Sequence, residues 1–153
     1  MLAQPDQSLP ACNALVEKIQ ASISTLKKVR TIDEQAKIFQ MLEGLGLRGV
    51  PHLIDNMDDR TPLRFRAISL VNKSTNSFEA ARHYGPEQTV DAIAALLNQL
   101  TGENFGCIQN GAADGERSQS VTGWRNWKER QFRINPDGCY EKRNAEPNQT
   151  TGR

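Results

Sequence analysis

The sequence predicts an all-α fold, and three observations in its 153 residues carry that prediction. Apolar residues recur at steps of three and four through most of the chain, the spacing of one helix face. Capping and stop residues stand at the ends of these periodic stretches. No segment reads as a strand, because polar and apolar side chains nowhere alternate for more than a few residues. The length is that of one domain with enough interior for a core, expected over residues 1–140. The polar end, residues 141–153, has no apolar pattern and is expected to be disordered.

The elements follow in order. In "NALVEKIQASISTLKKVR" the residues Leu15, Ile19, Ile23, Leu26 and Val29 form one stripe, with Lys27, Lys28 and Arg30 at the helix end whose dipole favours cations. A second helix opens at Thr31, with Glu34 completing a capping box, and carries Ile32, Ala36, Phe39 and Leu42 inward. It stops at the glycines of "EGLGLRG", where Gly44 or Gly46 can adopt the left-handed conformation. "GVPHLIDNMDD" reads as a third helix with Pro51 in its first turn. A fourth is expected from Thr61 and Pro62 through "LRFRAISLV", then a turn and a further helical piece in "NKSTNSFEAARHYG". "EQTVDAIAALLNQL" has the best stripe, Val90, Ile93, Ala94, Leu97 and Leu100. After it comes "TGENFGCIQNGAADGERSQSVTGWRNW", a long aperiodic stretch ending in two tryptophans, which reads as a polar loop before a C-terminal helix.

Charge bounds the partners. Lys+Arg number 19 and Asp+Glu 18, a net charge of +1, so no overall field favours nucleic acid or an anionic membrane. Residues 31–60 are acid-rich and residues 117–153 base-rich, which orients encounters. No apolar run approaches the roughly 18 residues a membrane helix needs. The start, "MLAQPDQSLPAC", lacks a basic n-region and an apolar h-region, and is similar to a mature exported protein whose signal has been removed; a cytoplasmic chain is the alternative. The cysteines at 12, 107 and 139 lack zinc spacing, so neither metal nor cofactor is expected. In an oxidising compartment Cys107 and Cys139 would staple the polar loop to the C-terminal end, with three unpaired thiols as the alternative.

"GLRGVPHLIDNMDDRTPLRFRAISLVNK" resembles a HEAT/armadillo-type helical repeat, the matching residues being Gly49, Val50, Pro51, Leu53, Ile54, Asp58, Asp59, Leu63, Arg64 and Ala67. The resemblance implies a compact bundle of antiparallel helix pairs. Proteins of this kind often end with "TG", "FG", a variable polar stretch and "W-x-x-W"; Thr101, Gly102, Phe105, Gly106, Trp124 and Trp127 stand in those places. By that likeness Phe105 and the tryptophans cap the apolar end of the last helix pair. More generally the chain resembles a periplasmic immunity protein that neutralises a type VI secretion peptidoglycan amidase by plugging its groove. That likeness implies a protein partner bound through residues 104–118, with Gln109, Asn110, Asp114, Glu116 and Arg117 supplying hydrogen bonds and charge.

Within the binding class, a rival surface is Asp55, Asp58, Asp59 and Arg60. A general protein-interaction scaffold and a homo-oligomer are alternatives of the same class. Catalysis has little to stand on: no metal, phosphate-loop or triad motif is present, and His52, His83 and Cys107 are isolated in sequence. "WRNWKERQFR" interleaves bases and aromatics, but reads more simply as a helix with Trp124, Trp127 and Phe132 inward and the arginines solvated.

Overall fold

The computed structural model describes residues 8–71 and 81–143. In order they form α1 (Ser8–Leu26), α2 (Ile32–Gly44), a 3-10 turn (Gly46–Gly49), α3 (Val50–Asp55), β1 (Ile68–Val71), β2 (Ala81–Tyr84), α4 (Thr89–Thr101), α5 (Asp114–Gln131), β3 (Phe132–Ile134) and β4 (Tyr140–Lys142). The fold is mostly helical, with two antiparallel two-stranded ribbons, β1–β2 and β3–β4.

Local sequence accounts for most of the helices. On α1, Ile19, Ile23 and Leu26 are buried, as is Val29 just beyond it. The α2 cap is close to the expected box: Thr31 Oγ1 accepts from the Glu34 amide at 3.1 Å, while the Glu34 carboxylate reaches the Arg30 amide, one residue earlier, at 2.8 Å. Its stripe is Phe39 and Leu42, with Gln35 buried beside them; Ile32, expected inward, is 49% exposed on the first turn. Gly46, at φ 64°, supplies the left-handed residue after α2. Pro51 occupies the first turn of α3, where its missing amide costs nothing.

The centre of the core is α4. Every residue from Thr89 to Leu97 is buried, so this helix is enclosed on all sides. Its N-terminus is closed by the Asp91 carboxylate, which accepts from the Glu87 and Gln88 amides, and its C-terminus by Gly102 at φ 75°. Helix α3 packs on α1, α4 and α5, and α2 on α1, α4 and β1.

The helix expected from Thr61 to Val71 does not form. Pro62 bridges Gln88, Leu63 N–H donates to the Glu87 carbonyl, and Thr89 and Val90 N–H donate to Thr61 and Asp59. Further along, the wholly buried Gln35 side chain donates to the carbonyls of Phe65 and Ala67 and accepts from the Phe65 amide. These bonds satisfy the backbone of a non-helical segment that runs into β1. The sequence "LRFR" then "ISL" alternates burial accordingly: Leu63, Ile68 and Leu70 are inside, Arg64, Arg66 and Ser69 outside. The second helix of the HEAT-type match is therefore replaced by an irregular segment, bent at Arg64 and Phe65, that ends in the strand β1. Residues 81–84, expected to be turn or helix, form β2; residues 72–80 lie outside the described residues. Residues 141–143 also depart from the expected tail, since β4 pairs with β3 and Arg143 N–H donates to the Gln131 carbonyl; residues 144–153 lie outside the described residues.

Candidate functional site

The polar stretch is half loop and half helix. Only residues 102–113 form the connection, because α5 starts at Asp114. The loop is fastened along its length: Ile108 is 1% exposed in the core, Phe105 stacks edge-on against Trp124 at 4.8 Å, and Asn98 donates to the Glu103 carbonyl. Trp124 in turn meets Trp127, and Trp127 meets Phe132, each edge to face. Each such pair contributes about 0.5–1.5 kcal/mol beyond its buried area, so this aromatic chain ties loop, α5 and β3 into one body.

That anchoring decides the fate of the five residues assigned to partner binding. Gln109 is buried and donates to Asn104; Asn110 is exposed but accepts from the Gly85 amide at 2.7 Å. Arg117 is 3% exposed and does not reach solvent. Its guanidinium grips the wholly buried Asp91 with two bonds, 2.8 and 3.0 Å, and touches Glu87 at 3.3 Å and Asp114 at 3.5 Å. Hydrogen bonding to Asp91 holds Arg117 above its ordinary range and outweighs the opposing effect of burial. Two of the five, Gln109 and Arg117, are therefore internal, because the loop's polar atoms satisfy one another and α4. Asp114 and Glu116, on the first turn of α5, remain exposed.

The rival acidic surface is laced with ion pairs, although Asp58 stays 80% exposed. Lys27 pairs with Asp59, Arg125 with Asp58, Lys128 with Asp55, and Arg60 reaches Ser118. Burial opposes ionisation of Asp59, but bonds from Thr61 and the nearby Lys27 prevail and keep it below its usual range. These pairs join the end of α3 to α1 and α5.

What the fold opens instead is a cleft of about 660 Å³ with a mostly apolar wall. It lies where five parts of the chain meet: Leu15 from α1, Leu47 and His52 from the segment around α3, Leu100 from α4, Trp127 from α5 and Tyr140 from β4. One side is braced by a three-way clamp. The Tyr140 hydroxyl donates to Asp55 at 2.7 Å, and the Lys128 ammonium donates to Asp55 at 2.5 Å and to the Tyr140 oxygen at 3.0 Å, lying 5.1 Å from the Tyr140 ring centre. Burial works against the Lys128 charge, but Asp55 and Tyr140 more than offset it and raise its affinity for the proton. Burial, with Asp55 accepting its proton, keeps the Tyr140 phenol un-ionised. His52 stands edge-on to Tyr140 at 5.2 Å, and burial, aided by Lys128 and opposed by Asp55, lowers its affinity for a proton. A neutral imidazole and an intact phenol thus line the wall, the phenol's proton committed to Asp55.

The cysteine pairing expected from the sequence is not formed. Cys107 is exposed in the loop, whereas Cys139 is buried in the β3–β4 ribbon beside the cleft, which Cys12 also lines. His83 sits apart on β2, bonded to Ser69. Among the described residues no group of three His, Cys, Asp or Glu is placed to hold a metal ion, and no helix is long and apolar enough to cross a membrane.

Sequence reasoning missed this cleft because its lining comes from residues scattered between 12 and 142, with no local spacing to announce it. The one available signal was the aromatic set Trp127, Phe132 and Tyr140, more than the end of a small helical core needs. No family model, curated protein or solved structure matches the chain.

Proposed function

We propose that this chain is a protein-binding inhibitor on a HEAT-like helical scaffold, and that it holds its partner at the cleft bounded by α1, α3, α5 and the β3–β4 ribbon. The observation that carries this reading is the preformed apolar cleft of about 660 Å³, braced by Asp55, Lys128 and Tyr140. A volume within the range of roughly 300–1,000 Å³ suits one deeply inserted group, and a braced wall loses little freedom when it is filled. The rim supports the same reading: Leu47 is 55% exposed there, a large apolar side chain that a docking protein would cover. The HEAT likeness enters through its first helix, α3, alone.

The partner class is the one the sequence resemblance supplies, a secreted peptidoglycan amidase of a type VI system, met in the periplasm and blocked by occlusion. The fastened loop at 102–113 complements this, with Asn110, Asp114 and Glu116 as the exposed residues of the five first assigned to contact.

The test compares three purified proteins as baits in periplasmic extract: the parent chain, Leu47→Asp, and Asp114→Ala/Glu116→Ala. Retention of a peptidoglycan hydrolase by the parent, with its activity suppressed, and loss of both on Leu47→Asp is the expected result. Loss only in the double variant moves the contact to the first turn of α5. Retention of several partners without inhibition leaves a general scaffold and overturns the inhibitor reading.

A further inference from the structure

The cleft does not end at its own rim. A second depression of about 230 Å³ lies beside it, lined by Ala14, Leu15, Lys18, Leu45 and Arg48, and shares Leu15 and Arg48 with the larger cavity. Together they make one groove running from the aromatic end, at Trp127 and Tyr140, along α1 and the 3-10 turn. Apolar side chains line much of it, and its charged residues are Lys18, Arg48 and Lys142 against Glu103 and Glu141.

Lys18, Arg48 and Lys142 stand on the groove's edge, each exposed, and none has an ion-pair partner among the described residues. Two acids face the groove. Glu141 is engaged by Arg133, and Glu103 alone has no cation beside it. An apolar trough with three unneutralised cations on its margin complements an apolar stripe flanked by carboxylates.

Resting on the protein-binding reading above, we propose that the groove is the docking site for an acidic amphipathic segment of the partner protein. Apolar side chains of the segment would enter the trough between Leu15, Leu47 and Trp127, while its carboxylates meet Lys18, Arg48 and Lys142. The cations add rate and partner choice, and burial of the apolar stripe adds residence time.

The experiment uses the full chain and a synthetic helix of about four turns carrying Leu at i, i+3, i+4 and i+7 with Glu elsewhere, against the same peptide with Lys for Glu. Trp127 lines the trough, so its emission reports occupancy. At low salt the Glu peptide binds at least about tenfold more tightly than the Lys peptide, and the difference shrinks as salt rises. In Lys18→Glu/Arg48→Glu/Lys142→Glu, whose three sites are exposed and whose fold is checked by circular dichroism, the preference reverses. Equal binding of the two peptides, or a preference untouched by the triple variant, overturns the proposal. Binding to phosphatidylglycerol vesicles without binding to the Glu peptide also overturns it, in favour of a lipid surface. If neither peptide binds while the hydrolase of the preceding test is still retained, the docking proposal fails and the inhibitor reading stands; if the hydrolase is not retained either, both fail.

Discussion

Replacing Arg117 with methionine tests the most consequential difference between sequence and structure. As a partner-binding residue, Arg117 would be dispensable to the fold. In the structure its side chain is 4% exposed and clasps an Asp91 side chain that is 0% exposed, with bonds of 2.8 and 3.0 Å. Methionine fills similar space but leaves the Asp91 carboxylate buried, with the amides of Glu87 and Gln88 as its remaining donors. Breaking a buried pair on one side costs about 3–5 kcal/mol, a large share of the roughly 5–15 kcal/mol by which a domain is stable. At roughly 2–4 °C per kcal/mol for a chain of this size, the melting temperature should fall by roughly 6–20 °C. Adding Asp91→Leu removes the orphaned charge, and also about 1 kcal/mol of helix capping, so the double variant should recover part of the loss and show strong coupling in a double-mutant cycle. Urea unfolding followed by tryptophan emission measures all four proteins. A loss under about 1 kcal/mol in Arg117→Met, or strictly additive effects, refutes the buried-pair argument; full stability with lost partner retention returns Arg117 to the interface.

Three further outcomes are expected. In Gly123→Ala the new Cβ meets the Phe105 Cβ at 2.8 Å and its ring at 3.0 Å, pushing Phe105 off Trp124, so unfolding should require about 1–3 kcal/mol less; an unchanged midpoint would show that the loop shifts freely. His52 takes up a proton less readily folded than unfolded, so its contribution is present above pH 6.5, the unfolded value, and is lost as pH falls through that region. Stability measured from pH 7.5 to 5.5 should decline less steeply in His52→Gln than in the parent, and parallel curves would contradict the assignment. Native-state labelling with a thiol reagent should reach exposed Cys107 well before buried Cys139, with mass spectrometry giving the order; equal rates would contradict the burial, and a 107–139 cross-link the arrangement.

By itself the sequence determined the helices whose buried face is apolar. Ile19, Ile23 and Leu26 on α1, Phe39 and Leu42 on α2, and Val90, Ile93 and Leu97 on α4 were legible because the period of an apolar face is a local property. The Thr31 cap and the stop at Gly46 were equally local, as was the inward turn of Trp124. Helix α5 was half hidden because part of its buried face is polar: Arg117 and Ser120 precede Val121 and Trp124 at helical spacing, and Arg117 is admitted only because Asp91, 26 residues away, neutralises it. The segment from Leu63 to Val71 reads locally as a helix, and its other conformation was chosen by Gln35, about 30 residues distant, which bonds the backbone of Phe65 and Ala67. Tertiary structure alone decided the cleft, since no stretch of chain contains it. Asp55, Lys128 and Tyr140 meet only when α3, α5 and the last ribbon are packed together, and that meeting holds the wall in place.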